Sequence, residues 1–88
     1  LYTGPYGSCF ADAGRAKAEA GKLARTAGLA AERGLGVNAG HDLTVENLPA
    51  LARAIPQLAE VSIGHALTAD ALIHGMAKTV QRFVAALR

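Results

Sequence analysis

Two histidines, His41 and His65, each follow a glycine at the carboxyl end of a short apolar run. The first lies in Gly36-Val-Asn-Ala-Gly-His-Asp-Leu43 and the second closes Val61-Ser-Ile-Gly-His65. Histidine is the side chain whose ordinary pKa lies nearest neutrality, so a ring at a strand end is suited to giving or taking a proton. Asp42 can orient His41 or cap a turn; adjacent side chains on a strand end diverge, which favours the cap. Gly64 leaves the backbone open to close approach by an anion such as phosphate. His74 falls near the end of a short helical segment and reads as a C-terminal cap. Three histidines scattered in this way lack metal-ligand spacing, so no metal is expected. Cys9 paired with His41 would make a nucleophile and a base, but nothing local activates the thiol. The run Gly34-Leu-Gly36-Val-Asn-Ala-Gly40 fails as a dinucleotide fingerprint, because its third glycine comes one residue late and its glycines precede a strand.

The elements that must position these residues are a strand, a helix and a second strand. Gly34 and Gly36 release Val37 from an alanine-rich segment, and Gly40 is expected to turn the chain at the far end. The second strand is predicted over Glu60–Ile63. Between them Leu48, Leu51, Ala52 and Ile55 mark one helical face, with Asn47 as the expected N-cap, Pro49 in the first turn and Pro56 as the stop. Such a crossover makes the strands parallel, and in parallel α/β folds the chemistry sits at the carboxyl ends of the strands. Upstream, Leu1–Phe10 reads as a loop leaving a strand. Asp12 is placed to cap a helix from about Ala11 to Arg33, whose small apolar positions Ala16, Ala20, Leu23, Ala27 and Ala30 recur at spacings of three and four. Downstream, Ala66–Ile73 forms a short helix ended by Gly75, and Met76–Arg88 continues as an amphipathic one. A short extra helix after the last strand is where (β/α)8 barrels often hold a phosphate. The free N–H groups and dipole of its amino end attract anions.

Composition narrows the partners. The 88 residues are 51% hydrophobic but only 5% aromatic, with no tryptophan, which favours alanine-rich helices packed closely on a sheet. Nine basic and seven acidic residues give a net charge of +2 with no basic stripe, so no nucleic-acid partner is expected. One cysteine excludes an internal disulfide and suits a reducing cytosol. No stretch reaches the roughly 18 apolar residues of a membrane span, and no leader pattern is present. Two parallel strands leave edges and faces uncovered. Together with a start at Leu1 in an apolar strand end, this predicts a single partial domain over residues 1–88, with its neighbours upstream or in another chain.

Three motifs in order, Tyr2-Thr-Gly-Pro-Tyr6, Gly36-Val-Asn-Ala-Gly-His-Asp-Leu43 and Glu60-Val-Ser-Ile-Gly-His-Ala66, followed by Gly75-Met76, carry a resemblance. The chain resembles the carboxyl-terminal third of the pyridoxine 5′-phosphate synthase family. The resemblance implies an α/β fold, the last two strands (seventh and eighth) of a (β/α)8 barrel with flanking helices, in a cytoplasmic homo-oligomer. It implies condensation of 3-amino-2-oxopropyl phosphate with 1-deoxy-D-xylulose 5-phosphate, closing the pyridine ring and releasing phosphate and water, with no cofactor. His41 falls on the family's general-acid histidine. Asp42 falls on a ligand-contacting position that is glycine in many members, so its contact should run through the backbone N–H. Gly64 and His65 fall on the pair that holds a phosphate. Tyr2 stands where many members have histidine and is assigned no role. The family's upstream catalytic histidine and glutamate lie outside this chain, so the segment alone should be inactive. Two other readings stand beside this one: another phosphate-handling (β/α)8 isomerase or aldolase, and a small non-enzymatic α/β association module.

Overall fold

Released by Gly34 and Gly36, Val37–Gly40 forms a strand, β1, in the computed structural model, which describes residues 1–88. Its partner β2 spans Leu58–Ser62 and runs parallel to it, with Ala39 opposite Val61 and Gly40 opposite Ser62. The register slips by one residue between Val37 and Asn38. On the other side of β1 lies the start of the chain: Tyr2 forms a parallel bridge with Gly40, Gly40 N–H donates to the Leu1 carbonyl at 3.1 Å, and Thr3 N–H donates to the Gly40 carbonyl at 3.1 Å. β1 is therefore flanked on both edges, by β2 and, where the sequence predicted a strand end, by a single-residue bridge at Tyr2.

Five helices surround these strands. The first, α1, covers Gly4–Ser8, where the sequence predicted a loop. Pro5 explains the difference, since a proline in the first turn has its φ already set for helix and gives up a donor that would be unpaired anyway. Next, α2 runs over Ala13–Glu32, and Asp12 caps it as expected, its carboxylate accepting from Arg15 N–H at 3.1 Å. Its small-residue stripe faces inward: Ala16 and Ala27 are buried, while Ala20, Leu23 and Ala30 pack against the core. The crossover helix α3 is Leu48–Ala54, with Pro56 beyond its end. After β2 come α4, His65–His74, and α5, Met76–Ala86. Gly75, at φ 87°, is at once the last cap of α4 and the first of α5, a conformation that glycine adopts without penalty.

The core joins all of this. Tyr6, Val37, Leu43, Leu48, Leu51, Ile55 and Phe83 form one buried cluster with Ala16, Ala27 and Ala86. Leu48 and Leu51 are fully buried, each contributing about 1.5–3 kcal/mol through removal from water. By contrast, no residue of β2 or α4 is fully buried. Leu72, Ile73, Met76, Val80 and Val84 form an exposed apolar row along α4 and α5. No helix is long and apolar enough to cross a membrane. Truncating Leu51 to alanine should lower the unfolding free energy by about 2–5 kcal/mol, read from the denaturant midpoint, because the cavity opens where α3 meets the core.

Candidate functional site

The carboxyl ends of β1 and β2 open into a cleft of about 670 Å³ lined by Tyr2, Gly40, His41, Asp42, Ser62, Ile63, Gly64, His65 and Thr68. The four residues singled out in the sequence, His41, Asp42, Gly64 and His65, thus line one cavity. His74 does not: it ends α4 with its side chain bonded to nothing, and Gly75 N–H, donating to the Ala71 carbonyl at 2.9 Å, makes the cap expected of it. Cys9 is also elsewhere, its thiol 3.7 Å from the Tyr6 carbonyl. No three His, Cys, Asp or Glu side chains converge as a metal site would require.

The turn out of β1 is where the structure departs most from expectation. Gly40 stays in the strand, and the reversal falls on the next two residues, His41 at φ 112° and Asp42 at φ 56°. Consecutive non-glycine residues at positive φ are costly, on the order of 1–3 kcal/mol each, and persist only where their surroundings hold them. Here the His41 carbonyl accepts from Thr3 Oγ1 at 2.6 Å, and the Asp42 carbonyl accepts from Asn47 Nδ2 at 3.0 Å. Gly7 packs so closely beneath that a β-carbon there would lie 2.4 Å from the Asp42 carbonyl oxygen.

This backbone also corrects the reading of Asp42 as a cap. Divergence of neighbouring side chains is a property of extended backbone. With both residues in the left-handed region the side chains converge instead. One Asp42 carboxylate oxygen lies 3.7 Å from His41 Nε2, and the carboxylate accepts no hydrogen bond from the backbone. Tyr2 leans over the same imidazole, its ring centroid 5.0 Å away at a tilt of 48°.

Asn47 is corrected as well. It stands at the start of α3 but its side chain does not cap that helix. Its Oδ1 accepts from Thr44 N–H at 2.8 Å, and its own N–H donates to Thr44 Oγ1 at 3.1 Å, a reciprocal pairing like a capping box in which Thr44 serves the helix start. The Thr44-x-x-Asn47 spacing carried that signal. Tyr6 Oη completes the set by donating to the Asn47 carbonyl at 2.6 Å. Thr3, Tyr6, Gly7 and Asn47 are thus residues of the site that the sequence reading missed.

At the other side of the cleft, α4 begins at His65 with Gly64 before it. Thr68 N–H donates to the Gly64 carbonyl at 2.9 Å, while the N–H groups of Gly64, His65, Ala66 and Leu67 find no acceptor in the chain. Of these, Gly64 and His65 line the same cavity as the exposed His41 imidazole, with the carboxylate of Asp42 beside that ring.

These features define a class: an α/β unit of parallel strands whose carboxyl ends carry an acid–base side chain opposite an anion-attracting helix terminus. The family model for the pyridoxal phosphate biosynthesis protein PdxJ matches residues 1–88, and the chain belongs to that family. It is similar to the pyridoxine 5′-phosphate synthases of Chelativorans sp. (strain BNC1), 65% identical over 98% of this chain and 35% of that protein, and of Rhizobium meliloti (strain 1021), 65% identical over 94% and 33%. The synthase of Brucella anthropi is 60% identical over 99% of this chain and 36% of its own. The chain spans about a third of the length of these curated relatives.

Burial pushes the Tyr6 phenol above its ordinary value of 10.0, an effect that Arg53 opposes and Cys9 adds to. The folded state therefore holds this proton more tightly than the unfolded chain. The resulting stability is fully present below pH 10.0 and is lost as pH rises through the raised folded value. Tyr6→Phe should abolish that alkaline slope in denaturant midpoints measured across pH. At neutral pH it should cost about 1–3 kcal/mol, because the Asn47 carbonyl loses its buried donor. Gly7→Ala should also destabilise, by forcing the Asp42 backbone away from α1, visible as a changed amide signal for Asp42.

Proposed function

We propose that the protein carrying this chain is a pyridoxine 5′-phosphate synthase, and that β1 and β2 are the seventh and eighth strands of its (β/α)8 barrel. The observation that carries the reading is the cleft: His41 and the free amino end of α4 meet at the carboxyl ends of two paired parallel strands. The match of the whole chain to the family supports it. The open edge of β2 and the exposed apolar row on α4 and α5 support the barrel, because further strands and helices would cover both.

In this reading the substrates are 3-amino-2-oxopropyl phosphate and 1-deoxy-D-xylulose 5-phosphate. The N–H groups of Gly64 and His65, aided by the α4 dipole, hold a phosphate. Asp42 meets the ligand through its backbone N–H, since its carboxylate would repel a dianion. His41, bound on the same side of the cleft as Asp42, donates a proton to the departing hydroxyl or phosphate oxygen. Protonation lets the C–O bond break without leaving a strongly basic anion behind. No lysine lines the cleft, so these strands offer no Schiff-base chemistry of the aldolase kind. The homo-oligomeric, cytoplasmic setting implied by the resemblance belongs to the same proposal.

In the full-length protein, His41→Ala should cut turnover by roughly 10²- to 10⁴-fold. The unfolding midpoint should barely move, because the imidazole is half exposed and donates no hydrogen bond. Unchanged turnover would refute the proton-donor role. A β-carbon at Gly64 would touch no protein atom within 4 Å. Gly64→Ala should therefore leave stability nearly unaltered while raising KM for the phosphorylated substrates, and an unchanged KM would remove Gly64 from the phosphate site.

A further inference from the structure

Two helices in this chain begin on side chains of the kind that normally cap them, and neither side chain does so. Thr3 precedes α1 and Asn47 precedes α3, yet neither makes a cap hydrogen bond to its own helix. A cap works through the side-chain oxygen as acceptor, and the Asn47 oxygen is taken by Thr44 N–H, which leaves its amide N–H, like the Thr3 hydroxyl, to donate elsewhere. Both are committed to the same place. Thr3 Oγ1 donates to the carbonyl of His41 at 2.6 Å, and Asn47 Nδ2 donates to the carbonyl of Asp42 at 3.0 Å. These are the two consecutive residues at positive φ.

We infer that Thr3 and Asn47 are positioning residues, which hold the strained His41–Asp42 peptide so that the His41 imidazole projects into the cleft. The inference rests on the proton-donor reading of His41. Asn47 is suited to the task because it is buried, 2% exposed, and each of its polar groups has a partner: Asp42, Thr44 twice, and Tyr6. Its amide meets Thr44 through the oxygen and Asp42 through the nitrogen, so the turn is held from two sides at once. Thr3 is fully buried and is anchored to β1 by its own N–H on the Gly40 carbonyl. The turn is thereby referenced to the sheet through Thr3 and to α3 through Asn47. Without these donors, His41 and Asp42 would relax toward negative φ, and the ring would swing away from the reacting atoms. Misplacement of a catalytic group by about 1 Å can cost on the order of 10²-fold in rate.

The test is a double-mutant cycle in the full-length enzyme, using Asn47→Asp, which keeps the shape and the acceptor for Thr44 but replaces the donor to Asp42 with an oxygen. Asn47→Asp alone should lower kcat by about tenfold to 10²-fold with KM little changed. In the His41→Ala background the same change should lower kcat no further, because a ring that is absent cannot be misplaced. An equal loss in both backgrounds would mean that Asn47 only stabilises the fold, and would overturn the inference while leaving the proton-donor role intact. No loss from Asn47→Asp beside a large loss from His41→Ala would overturn it equally. If His41→Ala itself is harmless, the proton-donor reading falls and takes the inference with it. Thr3→Val, which removes only the hydroxyl, gives the same cycle should Asn47→Asp not fold, and Thr3→Ser should restore kcat.

Discussion

A single carboxamide holds the working end of this molecule together. Asn47 reaches Asp42 with its nitrogen and Thr44 with its oxygen, and its backbone ties Thr44 and Tyr6 into the same knot. The peptide it grips is one the chain would not adopt unaided, because two successive side-chain-bearing residues sit at positive φ. A buried amide with both its nitrogen and its oxygen engaged is held firmly, whereas one left unpaired would be worse than a hydrocarbon there. That all-or-none character is what lets a short surface turn present His41 in one orientation.

The core explains how the knot comes to be buried. Tyr6 belongs to the main apolar cluster and brings its hydroxyl to the Asn47 carbonyl, with the Phe10 ring edge-on at 5.8 Å. Leu43 and Leu48, which bracket the turn and the start of α3, are both fully inside. Hydrophobic burial on either side of residues 44–47 thus removes water from the polar network, and the network in turn fixes where β1 ends. Packing and geometry of the site are one structure rather than a scaffold with a loop added.

Much of this was readable in the residues. Glycine and proline punctuation at Gly34, Gly36, Pro56 and Gly75 bounds the strands and helices closely, and the alanine spacing of α2 identifies its buried face. The motifs Val37-Asn-Ala-Gly-His41 and Gly64-His65 place the cleft at the strand ends, where it is found. What escaped reading depends on contacts distant in sequence. The helix at Gly4–Ser8 is too short for periodicity to reveal. The direction of the Asp42 carboxylate follows from two successive residues at positive φ, a state that His and Asp visit more readily than most but that is held here by Thr3, 38 residues from His41, and by Asn47, five from Asp42. Thr3 and Asn47 look like ordinary helix caps because cap chemistry and turn-clamping chemistry use the same side chains.

The junction at Gly75 carries a mechanical implication. Since α4 has no fully buried residue, its aim is set largely by α5, through the one-residue elbow and the Arg82 guanidinium, 3.6 Å from the Asp70 carboxylate. A ten-residue rod about 15 Å long is therefore tied to α5 at the end farthest from the cleft. The direction in which the amides at its tip point is thus referenced to α5 at one end and, through Ala66 and Leu67, to the core at the other.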